Sequence, residues 1–287
     1  MLQYTEFFSP TMNRAASIKL IAMDLDDTLL DSRLSLSRRS ITTIRKALEA
    51  GLSVTFATNR GHLAAKPFIE QLGLSGLMIT HGGAQIRDAE NGRIIHEVLI
   101  EKEIAAEVMR FADRHGVYVH IQRNDDIFYR KACEWSEKYE AYVGYHGTEA
   151  PWLNLDPVEA SKLMILGEPE RIAALLPLAR ETFRGSLRVT SSKPWFMELN
   201  HSAATKGSAL KTLAGILGLE PANIAAFGDH PVVDGDMLEY AALGVAMGNA
   251  PEELKAIADL IAPTNNDDGV AVVIEEIIVQ QGLWPAP

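Results

Sequence analysis

The sequence predicts an α/β fold, a doubly wound parallel sheet interrupted by an inserted α+β module. Three observations predict it. Short apolar runs alternate with amphipathic stretches near both ends of the chain, the pattern of successive βα units. Each run stops at a polar, turn-prone cluster, as strands of an open parallel sheet do where ligands bind. Between Ala84 and Lys206 this rhythm gives way to hairpin signals mixed with helices.

Residues 18–23 are mainly apolar, as expected of a strand buried on both faces. They end at Asp24-Leu25-Asp26-Asp27-Thr28. Residues 34–50 carry a helical pattern (Ile41, Ile44, Leu48) closed by Gly51, a favourable helix stop. A second strand over 52–57 ends at Thr58-Asn59-Arg60-Gly61. A helix at 62–72 and a strand at 77–80 come next, ending at His81-Gly82-Gly83-Ala84. Residues 85–98 read as two short strands around Asn91-Gly92, a hairpin turn signal. The inserted region continues with a helix at 101–114, strands near 117–122 and 126–130, and a helix containing Trp135. A strand at 162–166, a helix at 168–183 and strands near 186–190 and 195–199 complete it. From Lys206 the βα rhythm returns: helix 206–217, strand 224–227, helix 236–242, strand 245–247, helix 251–258 and a last helix near 269–281. The expected boundaries are 17–84 and 197–287 for a discontinuous core, 85–196 for the insert, and 1–16 for a flexible tail in which Met12 is an alternative start.

Composition narrows the function classes. The 287 residues carry a net charge of −11, which argues against a nucleic-acid backbone as partner. No run approaches the ~18 apolar residues of a membrane span. The start lacks the basic-then-apolar order of a signal peptide. Cys133 is the single cysteine, so neither a disulfide framework nor a thiolate metal site is expected, and a reducing cytoplasm fits.

The acidic cluster carries the chemistry. Side chains alternate along a strand, so Asp24 and Asp26 can share a side. Carboxylates so close resist joint ionisation unless a cation or a shared proton relieves them, and a divalent metal would do so. Thr58 offers a hydroxyl beside backbone N–H groups. Lys206-Gly207 opens a helix, where a cation and free backbone donors converge. Gly228-Asp229, with Asp234 close behind, adds two carboxylates after an apolar strand. Singly, each reads equally as a turn, a solvated residue or a helix cap. Together they supply oxygens for Mg²⁺ and donors for an anion, the needs of phosphoryl transfer.

On these residues the chain resembles the haloacid dehalogenase-like superfamily, and within it the Cof-type phosphatases with a large α/β cap between motifs two and three. Asp24-x-Asp26-x-Thr28 matches the first motif, Thr58 the second, Lys206 the third, and Asp229 with Asp234 the fourth. The segment Thr264-Asn265-Asn266-Asp267-Asp268-Gly269-Val270 is similar to the Cof tail pattern. The resemblance covers nearly all of the chain beyond residue 17 and implies a Rossmann-like core with an inserted cap. It further implies a phosphomonoester hydrolase in which Asp24 is the nucleophile that forms an aspartyl-phosphate and Asp26 is the general acid and base. Mg²⁺ would be held by Asp24, the Asp26 carbonyl and Asp229, with Asp234 binding it directly or through water. Thr58, Asn59, Lys206 and Asn265 would contact phosphate or order its loops. The implied partner is a small phosphorylated metabolite, a sugar phosphate or a cofactor phosphate, taken by a monomer or homodimer.

The chain departs from that pattern in three places. Thr58-Asn59-Arg60 stands where Thr-Gly-Arg is common, and Gly82-Gly83-Ala84 stands for Asn-Gly-Ala. The fourth motif has one extra residue, with Val233 in place of Asn; Pro231 predicts a bulged loop there. A phosphomutase using the same phospho-aspartate and a non-catalytic sugar-phosphate-binding module are the alternative functions. The intact Asp24–Asp26 pair argues against the second. His62, His81, His201 and His230 fall near the expected active-site loops without metal-ligand spacing. Trp135, Trp152 and Trp195 are assigned mainly to core packing, with the cleft between the units as the other place for them.

Overall fold

The computed structural model describes residues 15–154 and 158–283. The tail expected at 1–16 lies outside this range apart from its last two residues, and the Trp152 side chain lies outside it too. β1 (Leu20–Met23), α1 (Arg38–Glu49), β2 (Ser53–Phe56), α2 (His62–Leu72) and β3 (Leu77–Thr80) open the chain. Then come β4 (Gln85–Asp88), β5 (Ile94–Glu97), α3 (Lys102–His115), β6 (Tyr118–Arg123), β7 (Asp126–Tyr129), α4 (Glu134–Val143) and β8 (Thr148–Glu149). Next are β9 (Lys162–Leu166), α5 (Pro169–Thr182), β10 (Leu187–Lys193) and β11 (Phe196–His201). The chain closes with α6 (Lys206–Leu217), β12 (Ile224–Gly228), α7 (Pro231–Tyr240), β13 (Leu243–Ala246), α8 (Glu252–Lys255), β14 (Leu260–Ile261) and α9 (Gly269–Gln280).

The central sheet has the order β14-β13-β12-β1-β2, and all its pairs are parallel. β1 and β12, its middle strands, are buried along their whole length, which is why both read as unbroken apolar runs. One face packs α1 and α9 on Ile21, Met23, Phe56 and Phe227; the other packs α6 and α7 on Leu20, Ala22 and Ala226. Local chemistry sets the helix ends. Ser37 caps α1 by accepting from Ser40 N at 2.9 Å, and Gly73 closes α2 in the left-handed conformation at φ 72°.

β3 joins β2 through a single parallel bridge, Ala57 to Ile79, and then pairs antiparallel with β4 and β4 with β5. Residues 85–97, read from the sequence as the start of the insert, are therefore a hairpin extending from β3. A separate sheet has the order β10-β11-β9-β6-β7-β8 and is antiparallel except for β7 with β8. β11, the strand expected near 195–199 and cut by the expected boundary at 197, lies wholly inside it. Residues of opposite parity face opposite ways. Leu163, Ile165 and Leu199 pack beneath α3 and α5, while Met164, Leu166 and Phe196 pack against α4.

One expected element is displaced. The helix placed at 236–242 begins at Pro231, and no bulge precedes it. Proline sits at the first helical position, where its missing N–H costs no hydrogen bond and its fixed φ suits the helix. Asp234 thereby falls in the first turn. Among the described residues no helix is long and apolar enough to cross a membrane.

Candidate active site

β1 and β12 are adjacent and parallel, so the residues just beyond their carboxyl ends meet at one sheet edge. Asp24 continues the ladder, donating its N–H to the Phe227 carbonyl at 3.0 Å. α6 starts beside them with Thr205 as its cap, accepting from Ser208 N at 3.0 Å, and this fixes Lys206 at the first helical position. The Lys206 ammonium is completely buried and stands 2.7 Å from Oδ1 of Asp24 and 2.7 Å from Oδ1 of Asp234. The other oxygen of Asp234 accepts the backbone N–H groups of Asp229 at 3.0 Å and His230 at 2.9 Å. Thr28 donates its hydroxyl to Asp229 Oδ1 at 2.8 Å.

Close approach explains the glycines here. A Cβ on Gly228 would lie 2.4 Å from Asp234 Cβ, and one on Gly83, at φ 102°, would lie 2.1 Å from the Thr205 carbonyl oxygen. Neither position admits a side chain without moving the carboxylates or Lys206.

Asp24, Asp229 and Asp234 each place a carboxylate oxygen within 4.8 Å of the others. Burial, and then repulsion from Asp234, Asp229 and Asp26, pushes Asp24 well above the usual carboxylate range against the pull of Lys206. Asp229 is pushed up to about 7, by burial first and Asp234 second. Burial works against a charged Lys206, yet Asp234 and Asp24 outweigh it and hold the ammonium above its ordinary pKa. The cluster therefore has more negative charge than one lysine relieves, and its donors are all oxygens. That is a fit for a small hard cation.

Asp26 turns to a different partner. Arg60 grips it with two parallel hydrogen bonds, Nη2 to Oδ1 at 2.6 Å and Nε to Oδ2 at 2.8 Å. The guanidinium lies 5.2 Å from the Phe68 ring centroid on α2 and 5.8 Å from that of Tyr142 on α4. Asp27, in the left-handed conformation at φ 59°, pairs with Lys193 from β10 at 3.0 Å.

The other residues singled out in the sequence divide. Thr58 is fully buried and its hydroxyl oxygen accepts from Arg60 N at 3.1 Å. Asn59 lines the same cleft as Asp24; its side-chain amide donates to Glu198 Oε1 at 3.2 Å and its backbone carbonyl accepts Lys162 Nζ at 2.7 Å. Asn265 ties two loops together: its amide donates to the Leu30 carbonyl at 2.9 Å and its N–H to Asn249 Oδ1 at 3.0 Å. Of the four histidines, His230 lines the cleft, while His62 and His81 bond backbone carbonyls at Ala89 and Asn124 and His201 accepts from Ala203 N. Trp195 packs behind the cleft, edge-on to Tyr142 at 5.8 Å. The contacts of Thr28, Lys162, Lys193 and Glu198 had no sequence signal, since each depends on a partner at least 36 positions away.

Two of the departures from the resembled pattern meet in space. A Cβ on Gly82 would lie 2.8 Å from Asn59 Oδ1. The Asn59 amide thus occupies the room that a side chain at 82 would need, so an amide is present beside this loop from the neighbouring strand end.

Residues 21–274 match the profile of the haloacid dehalogenase-like hydrolases. The phosphatase YwpJ of Bacillus subtilis is 30% identical over 291 residues, covering 91% of this chain and all of its own length. A Haemophilus influenzae protein provisionally assigned as a phosphatase is 32% identical over 259 residues, covering 90% of this chain and 97% of its own. The crystal structure of a haloacid dehalogenase-like hydrolase from Bacteroides thetaiotaomicron superposes with a TM-score of 0.81 at 27% identity, covering 91% of this chain and 99% of the other.

Proposed function

The chain belongs to the haloacid dehalogenase-like hydrolases as a phosphatase, and from that premise we propose that it hydrolyses a small phosphorylated metabolite, of the sugar-phosphate or cofactor-phosphate kind, through an aspartyl-phosphate on Asp24. The observation that carries the reading is the meeting of Asp24, Asp229 and Lys206 at the ends of adjacent parallel strands, with Asp26 two residues beyond the nucleophile.

In this reading an Asp24 oxygen attacks phosphorus and the bond to the leaving oxygen breaks. Asp26 gives its proton to that oxygen, and the alcohol departs. Asp26 then takes a proton from water, whose oxygen attacks the phosphorus, releasing inorganic phosphate and restoring Asp24. Lys206 and the Thr58 hydroxyl face the charge that develops on the phosphoryl oxygens. Arg60 fixes the orientation of Asp26, and because it donates to both Asp26 oxygens, one of these two bonds opens for Asp26 to carry the proton it transfers.

Mg²⁺ would be held by Asp24, Asp229 and the Asp26 carbonyl. When bound it would neutralise phosphate charge and polarise the phosphoryl group. Both Asp234 oxygens are engaged by protein donors, so its part is to hold the Asp229 loop and Lys206 and to reach the metal through water. The cap over the site is the six-stranded sheet with α3, α4 and α5, with residues 85–97 left to the core.

The test is phosphate release from a panel of phosphomonoesters with Mg²⁺ and with chelator, alongside Asp24→Asn. The expected result is chelator-sensitive release that the variant loses by at least about a thousandfold while remaining folded. Normal turnover in Asp24→Asn, checked by mass for deamidation, would overturn the mechanism. An isomerised sugar phosphate without free phosphate would indicate a mutase instead.

A further inference from the structure

We propose that the Asp27–Lys193 ion pair selects the leaving group of the substrate, accepting a neutral, hydroxyl-bearing alcohol and rejecting one that carries a second charge of either sign. The inference rests on the phosphatase reading above and narrows the substrate class of that same site.

The pair lines the cleft that holds Asp24 and Asp26, with Asp27 on the loop after β1 and Lys193 at the end of β10 in the second sheet. Both ends are built into place. Asp27 takes the left-handed conformation at φ 59°, which a residue with a Cβ adopts at a cost. Asn249 holds it there, donating its side-chain amide to the Asp27 carbonyl at 2.8 Å. On the other side, β10 has one residue more than β11. Ser191 and Ser192 lie between the pairs Thr190–Glu198 and Lys193–Phe196, opposite Met197 alone. Such a bulge re-aims the side chains beside it. The Ser191 hydroxyl braces this one, 3.0 Å from the Lys193 carbonyl and 2.9 Å from that of Phe196.

The arginine and the other lysine that line the cleft are committed. Arg60 gives two bonds to Asp26, and the buried Lys162 donates to Glu198 and to the Asn59 carbonyl. Lys193 and Asp27 stay within reach of a ligand, at 27% and 43% exposure. Among the described residues the Lys193 ammonium bonds a single oxygen, Asp27 Oδ2, and Asp27 Oδ1 has no donor. Spare N–H groups and a spare acceptor thus stand side by side. A hydroxyl can donate to Asp27 and accept from Lys193 while the pair stays intact. A carboxylate or second phosphate that approaches Lys193 also meets Asp27, and an ammonium that approaches Asp27 also meets Lys193. Each charged group must therefore break the pair or face a like charge.

The experiment compares three esters that differ only at the end of the chain far from phosphate. Glucitol 6-phosphate ends in a hydroxymethyl group, 6-phosphogluconate in a carboxylate and 1-amino-1-deoxyglucitol 6-phosphate in an ammonium; acetyl phosphate reports phosphoryl transfer alone. The proposal expects kcat/KM for glucitol 6-phosphate to exceed that for either charged ester by at least about tenfold. Asp27→Asn leaves Lys193 unpaired and should raise the carboxylate-to-hydroxyl ratio of kcat/KM by at least about tenfold. Lys193→Met leaves Asp27 unpaired and should raise the ammonium-to-hydroxyl ratio by a similar factor. A pair that only braced the second sheet against the first would lower all rates together, so an unchanged ratio in either folded variant would overturn the inference. A parent enzyme that handles a charged ester as well as glucitol 6-phosphate, or that hydrolyses acetyl phosphate and none of the three, would overturn this inference alone. Failure to release phosphate from any of the four would overturn the phosphatase reading and this inference with it.

Discussion

Lys206 Nζ stands 2.7 Å from Asp234 Oδ1, and neither side chain exposes any surface to water. Lys206 begins α6 and Asp234 lies in the first turn of α7, so the pair clamps together the two helices that close one side of the sheet edge. A buried ion pair adds little over a well-packed apolar pair, but removing one partner strands the other charge.

Lys206 keeps Asp24 at 2.7 Å when Asp234 is removed, so Asp234→Ala is expected to destabilise by less than the roughly 3–5 kcal/mol usual for breaking a buried pair. Because it also frees the Asp229 and His230 N–H groups, it should raise the Mg²⁺ requirement by about 10–100-fold. Asp229→Ala, by contrast, should nearly eliminate Mg²⁺-dependent turnover. Urea denaturation and a Mg²⁺ titration of both variants check this; an Asp234→Ala protein that unfolds and titrates like the parent would contradict it.

Asp26→Asn removes the proton donor and leaves the nucleophile. The expected outcome is a loss that grows with the basicity of the leaving group, severe for alkyl phosphates and milder for aryl phosphates, with phosphoenzyme trapped from the latter. Equal losses for both classes, measured as kcat/KM, would remove Asp26 from the acid role.

Two buried histidines set an acid limit on stability. His120 is pushed down to about 3 by burial and then by Lys162; His81 is pushed to about 3 by burial, Lys162 and Arg87. In the unfolded chain each takes a proton near 6.5. At these two rings the folded state thus binds fewer protons between pH 6.5 and 3, so the stability they contribute is complete above 6.5 and is lost as the pH drops through that window. The slope is at most about 1.4 kcal/mol per pH unit per histidine. Buried Asp24 and Asp229, whose folded-state affinity for protons is raised, act in the opposite sense over the same window. The measurement is therefore the difference between the parent and His120→Gln in chemical denaturation at about pH 7.5, 6.0 and 5.0, with the variant expected to lose less stability on acidification. Identical profiles for the two proteins would mean that the His120 ring protonates freely in the fold.

The contact between Asn59 and Gly82 predicts a coupled pair. Gly82→Asn alone should destabilise, since its Cβ would come 2.8 Å from Asn59 Oδ1. Gly82 has φ 66°, a conformation asparagine tolerates, so the double variant Asn59→Gly, Gly82→Asn should recover part of the loss. A thermal-melt double-mutant cycle measures the coupling, and strict additivity would show that the two sites do not share space.

Most strands and helices were legible because their signals are local. The apolar period, Gly73 after α2 and Ser37 before α1 act within a few residues of the elements they define. Asp24, Lys206 and Asp229 were legible for a similar reason: each follows a strand or opens a helix, and parallel connectivity brings such ends to one edge. Helix α7 was misplaced because Pro231 suits both a bulged loop and a first helical turn. Only the buried acceptor role of Asp234, which gathers the N–H groups of Asp229 and His230, selects the helix. The grip of Arg60 on Asp26 and the Lys162–Glu198 pair lay beyond sequence reading altogether. Their energies come from burial and from partners tens of residues away, which meet only once each sheet has formed: Asp26 and Arg60 beyond the ends of neighbouring β1 and β2, Lys162 and Glu198 on adjacent β9 and β11.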